Sequence, residues 1–124
     1  MTFFILLLMI FLHIWDDFGR QGIMASMKQK SWWTSQPEFS SMYSYDYVVA
    51  LFMHSFSWSF MIMLPIFVMC AFKLTALHYA FFIGNLILHM LIDDAKANRR
   101  SINLVIDQSL HMYQIVTTWI AFNA

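Results

Sequence analysis

Four long apolar runs alternate with polar segments along the chain, covering residues 2–15, 47–72, 75–92 and 102–122. A helix needs about 20 residues to cross a hydrocarbon core of about 30 Å, so the second and fourth runs make comfortable spans and the third is just sufficient. The first reaches that length only if its helix continues through Asp16, Asp17 and Phe18, which holds both carboxylates at the membrane boundary. The pattern therefore predicts an all-α integral membrane four-helix bundle, a single transmembrane domain over residues 1–124 with helices at about 2–18, 47–72, 75–94 and 102–122. Pro65 is expected to kink the second helix, and Lys73 with Leu74 leaves only a tight turn before the third. Ser101 is the expected N-cap of the fourth.

Residues 19–46 form the one long polar segment, an interfacial loop whose Trp32, Trp33, Tyr43 and Tyr45 suit the membrane–water boundary. Its stretch "GIMASMKQKSWW" has the character of an amphipathic segment lying flat on the membrane. The opening "MTFFILLLMIFLHIW" lacks a basic n-region and a small-residue cleavage site, so it is read as retained rather than as a signal peptide.

Composition agrees with a membrane protein: 60% of residues are hydrophobic and 11% charged, against about 45–50% and 25% in an average soluble domain. A net charge of zero argues against a nucleic-acid partner. The single cysteine, Cys70, excludes an internal disulfide and any multi-cysteine metal site. The eleven methionines show no repeated spacing that suggests copper and are read as packing residues. Arg20, Lys28 and Lys30 fall in the first loop and Lys96, Arg99 and Arg100 in the third, against Lys73 alone in the second. The positive-inside rule then puts loops one and three in the cytoplasm and both termini outside, as in a bacterial inner-membrane protein.

That topology gathers the polar residues. His13 with Asp17, His89 with Asp93 and Asp107 with His111 are each spaced by four, which stacks both members on one helical face. His54, eight residues after Asp46, is about 12 Å into its helix and so at similar depth. His78 lies about 16 Å from His89 toward the other end and is left out. Asp16 and Asp94, one residue from paired aspartates, are expected to point elsewhere as solvated boundary charges. Ionisable residues in membrane segments are costly unless they pair, meet water or bind an ion. The set reads as a metal site, as a proton or ion relay, or as structural bonding between helices.

The order of these elements resembles a family of small bacterial and phage integral membrane proteins defined only as a domain of unknown function. Its members carry H-x-x-x-D-F, a glutamine, a Met-Ala pair, an isolated histidine, then H-x-x-x-D and D-Q-x-x-H. Here these are "HIWDDFGRQ", "MASMK", "LFMHSF", "HMLID" and "DQSLH", across nearly the whole chain, with Gly19 and Arg20 departing from the apolar residues usual in the first loop. The chain is also similar in style to membrane-bound metal-dependent hydrolases, and that likeness implies a hydrolase.

Imidazole with carboxylate suits zinc, manganese or iron, and seven candidate ligands exceed the need of one tetrahedral ion, so one or two divalent ions are expected. His89, Asp93, Asp107 and His111 form the expected core half-site, with Asp93 and Asp107 sharing an ion; His13, Asp17 and His54 complete it. Gln108 is a candidate to orient a ligand or substrate, and Arg99 and Arg100 are candidate headgroup contacts for a phospholipid or isoprenoid phosphate at the cytoplasmic leaflet. No residue stands out as a separate general base. The alternative is a non-enzymatic module within the lipid bilayer: a conductor extended by His78, Asn85, Ser57 and Thr117, or a subunit of a homo-oligomer or larger membrane complex.

Overall fold

The computed structural model describes residues 2–35 and 41–123, so the part of the interfacial loop at 36–40 lies outside the described residues. Among the described residues six α-helices follow in order: α1 (Thr2–Ile14), α2 (Met24–Met27), α3 (Lys30–Thr34), α4 (Asp46–Met69), α5 (Ala76–Ala97) and α6 (Leu104–Asn123). No strand occurs among the described residues. The four long helices pack in a closed cycle, α1 on α4, α4 on α5, α5 on α6 and α6 on α1.

α1 runs without a break into a π-helical turn, Trp15–Gly19. Such a turn closes i→i+5 bonds and advances less around the axis per residue than an α-turn. This overturns the expectation for Asp16. With the smaller angular step, both Asp16 and Asp17 face inward, 3% and 7% exposed, and Asp16 is buried rather than solvated.

α4 passes through Pro65 and stops at Met69, short of the expected end. The chain reverses through Ala71 and Phe72, both left-handed at φ 52° and 59°, while the Phe72 amide reaches back 2.8 Å to the Phe67 carbonyl. α5 starts at a capping box in which the Thr75 amide donates to His78 Nδ1 at 3.0 Å. His78 is thereby committed to a helix start. α6 begins two residues later than expected because Asn103, not Ser101, caps it: Asn103 Oδ1 accepts from the Ile106 amide at 2.9 Å. Ser101 instead donates to the Ala95 carbonyl. Asn103→Ala is expected to lower stability by about 1 kcal/mol, and Ser101→Ala to stay within about 0.5 kcal/mol, both measured by unfolding in detergent.

The helices Thr2–Gly19, Ser41–Met69 and Ala76–Ala97 are long and apolar enough to cross a membrane. α6 matches them in length with 20 residues, but Asp107, Gln108, Ser109, His111, Gln114, Thr117 and Thr118 keep it out of that group. Its exposed face still carries Val105, Ile106, Leu110 and Ile120. The same holds around the cycle, with Phe4, Leu7 and Phe11 exposed on α1, Phe52 and Phe56 on α4, and Ile83, Ile87 and Leu91 on α5. Apolar side chains thus face outward while buried polar side chains outnumber buried apolar ones among the described residues.

The interior has two halves. Ile5, Met9, Ile62, Met63, Ile66, Phe67 and Ile115 form an apolar core that Trp58 closes at one end. Beyond Trp58 the interior turns polar. Over that polar end lie α2 and α3, tied down by Asn98 at the end of α5: its amide donates to the Lys28 carbonyl at 3.0 Å, and its Oδ1 accepts from the Lys30 amide at 2.7 Å. The two basic loops are therefore bonded to each other at one end of the helices.

Candidate metal centre

Every long helix contributes to the polar half. α1 and its π-turn bring His13, Asp16 and Asp17, α4 brings His54, α5 brings His89 and Asp93, and α6 brings Asp107 and His111, all buried. Spacing by four serves as expected on α5 and α6, where His89 Nε2 lies 3.7 Å from Asp93 Oδ2 and His111 Nε2 lies 3.4 Å from Asp107 Oδ1.

Four ligand atoms converge from three helices. His54 Nε2 lies 3.1 Å from His89 Nε2, 3.3 Å from Asp17 Oδ1 and 3.4 Å from Asp93 Oδ2. Ligands at about 2.0–2.2 Å from a tetrahedral ion are separated by about 3.3–3.6 Å, the tetrahedron's edge. The three separations from His54 lie close to that edge, and all four ligand atoms lie within 4.8 Å of one another. Asp17, His54, His89 and Asp93 can therefore hold a metal ion, and Asp17, Asp107 and His111 form a second group of mutually close donors.

This grouping differs from the half-site read along the sequence. Asp93 and Asp107 belong to different groups, because each pair stays on its own helix and is joined by a donor from across the cycle: His54 of α4 beside Asp93, and Asp17 of the π-turn, which belongs to both groups, beside Asp107. His13 stands outside both groups. Its Nδ1 accepts from Trp58 Nε1 at 2.7 Å, so Nε2 carries the proton and donates to Gln108 Oε1 at 3.0 Å. With its oxygen so engaged, Gln108 turns its amide nitrogen to Asp17 Oδ2 at 3.0 Å and Asp107 Oδ2 at 2.9 Å. Trp58, His13 and Gln108 thus form a relay that orients two carboxylates, the kind of outer support on which metal ligands depend. Gln21 adds a bond to Asp17 Oδ1 at 2.9 Å and another to the Asp17 carbonyl.

Two lysines, assigned along the sequence only to loop charge, enter the site. Lys28 Nζ donates to Asp93 Oδ2 at 2.6 Å and is itself buried, and Lys96 Nζ donates to Asp107 Oδ2 at 2.9 Å. Asp16 Oδ1 accepts from Ser57 at 2.7 Å, while its Oδ2 has no hydrogen-bond partner. Trp58 stacks on His89 with ring centroids 4.1 Å apart and planes 15° from parallel. The spacing held one clue to this: Trp58 follows His54 by four on α4.

Above the cluster opens a cleft of about 630 Å³, floored by Asp17 and Asp93 and walled by Lys28, Lys96 and Arg100. Of the two candidate headgroup arginines, only Arg100 reaches it. Arg99 is largely exposed and pairs with Asp94 at 3.2 Å, which leaves Asp94 a boundary charge.

No family model, no curated protein and no solved structure matches the chain.

Proposed function

We propose that this chain is an integral membrane protein, a four-helix bundle with both termini external in a bacterial inner membrane, that binds a divalent metal and hydrolyses a lipid-linked or phosphate-containing substrate at the cytoplasmic leaflet. The observation that carries the reading is the convergence of ligand atoms of Asp17, His54, His89 and Asp93, with His54 3.1–3.4 Å from the other three, beneath a cleft lined by Asp17, Asp93 and three cationic side chains. The inverted burial pattern supports the membrane setting, since an exterior of Phe, Leu and Ile is stable only when covered. The joining of both basic loops at one end supports the orientation.

Asp17, His54, His89 and Asp93 would hold a divalent ion, which when bound would supply Lewis acidity toward a phosphoryl oxygen and an activated water near neutral pH. The chain's own residues do the rest. Arg100 attracts and orients an anionic headgroup, while Lys28 and Lys96, with Gln108 and Gln21, hold the carboxylates in place. The buried apolar core below Trp58 closes the site from the opposite side. Zinc, manganese and iron all suit this donor set.

Phosphate release from short-chain phosphatidic acid or an isoprenoid phosphate in detergent micelles tests the reading. Activity should vanish with chelator and return with Mn²⁺ or Zn²⁺. Arg100→Ala should lower kcat/KM about tenfold, about 1.4 kcal/mol of transition-state binding, while Arg99→Ala leaves it near wild type. Hydrolysis indifferent to chelator would sink the proposal. Metal bound without hydrolysis would favour a metal-stabilised scaffold.

One observation favours a second reading, conduction. Polar contacts continue from His111 through Gln114 to Asn85 and Thr118, along the direction a relay would need. Metal or proton flux into proteoliposomes would identify it.

A further inference from the structure

We infer that the cluster is a dinuclear centre, with Asp17 and Asp93 bridging two metal positions about 3.5–4 Å apart, as in two-metal hydrolases. The inference rests on the metal-binding reading above and extends it to the donors that the first position does not use.

Each bridging aspartate turns one oxygen to each position. Asp93 Oδ2 faces His54 and His89, whereas Asp93 Oδ1 lies 3.6 Å from His111 Nε2. Asp17 Oδ1 faces His54, while Oδ2 shares the Gln108 amide with Asp107 Oδ2 and is thereby drawn toward α6. The second position is completed by Asp107 Oδ1 and His111 Nε2. Both atoms are buried, on residues 1% and 0% exposed, and neither has a hydrogen-bond partner. Two buried polar atoms that lie 3.4 Å apart yet make no hydrogen bond need an explanation, and a cation between them provides one.

The tautomer of His111 agrees. The Gln114 amide nitrogen donates to the Asn85 carbonyl at 3.1 Å and to Asn85 Oδ1 at 3.2 Å, so Gln114 Oε1 is left facing His111 Nδ1 at 3.4 Å. Nδ1 then carries the proton, and Nε2 presents its lone pair to the second position. Ligating histidines are held this way by their other nitrogen.

Charge indicates the substrate class. Among the charged side chains buried at or paired into the cluster, Asp16, Asp17, Asp93 and Asp107 set against Lys28 and Lys96 leave a formal charge of −2, and Arg100 at the cleft wall adds a further positive charge on the substrate side. One divalent ion neutralises the buried set and a second makes it positive, which with Arg100 favours a multiply charged anion such as the dianion of a phosphate monoester. The second ion should therefore bind more tightly when inorganic phosphate is present.

Titration of chelator-stripped, detergent-solubilised protein with Mn²⁺, followed by elemental stoichiometry and electron paramagnetic resonance, tests this directly. Wild type with phosphate should bind two Mn²⁺ per chain and give an exchange-coupled spectrum. Asp107→Asn should bind one and give an isolated six-line spectrum, and His111→Gln is the second variant should Asp107→Asn not remain monodisperse. A single uncoupled Mn²⁺ in wild type overturns the dinuclear centre and leaves the mononuclear reading standing. No bound Mn²⁺ overturns both.

Discussion

Asp93→Asn should lower metal affinity by at least a hundredfold and destabilise the protein by about 3–5 kcal/mol, the cost of leaving a buried charge without its partner. Asp93 is the residue on which the cluster converges: it lies within 3.7 Å of His54, His89 and His111, and it is the acceptor of buried Lys28. Replacing its charged oxygen with an amide nitrogen turns an N–H toward that ammonium or toward the histidines. The structural and metal-binding roles are separable. In the double variant Asp93→Asn/Lys28→Met the buried ammonium is gone, so most of the stability should return while metal affinity stays lost. Unfolding in detergent and metal titration of the four proteins of this cycle give both quantities. Recovery of metal binding along with stability would show that Asp93 serves only to neutralise Lys28.

Trp58→Ala should cost about 3–5 kcal/mol, the usual penalty for emptying a large buried aromatic site. Trp58 has no exposed surface, closes the apolar core, and stacks on His89. Trp58→Phe separates packing from hydrogen bonding. The phenyl ring keeps the stack, but His13 Nδ1 loses its donor and is left buried and unpaired, at about 1–3 kcal/mol. Without that bond the His13 proton can move to Nδ1, Gln108 can turn over, and Asp17 and Asp107 lose their shared amide. Metal affinity should fall about 10–100-fold, as it does when outer support of a ligand is removed. Unchanged affinity in Trp58→Phe would mean that the relay through His13 and Gln108 has no part in orienting the carboxylates.

Much of the fold was legible because its signals are local. A run of apolar residues reports a buried or lipid-facing helix without reference to the rest of the chain, and the four long helices lie within a few residues of where the runs placed them. The pairs His89 with Asp93 and Asp107 with His111 were legible for the same reason, since spacing by four is a property of one helix. The misplaced boundaries have local causes too weak to rank in advance. Ser101 and Asn103 both suit an N-cap, and only the bond from the Ile106 amide to Asn103 decides between them. Nothing in the run ending at Phe72 announces that Ala71 and Phe72 take left-handed conformations.

Within the site, the chain by itself determined which residue types would be buried together and near which helix ends, because hydropathy and helical period act over a few residues. It did not determine who bonds whom. Lys28 meets Asp93 across 65 positions, and Trp58 meets His13 across 45. Asp16 turns inward only because the helix widens into a π-turn beside Ser57. Which carboxylate oxygen faces which imidazole is settled by the packing of four helices in a cycle, where a shift of about 1 Å exchanges one partner for another. Local pattern selected the donors; tertiary packing distributed them between two groups and left His13 outside both.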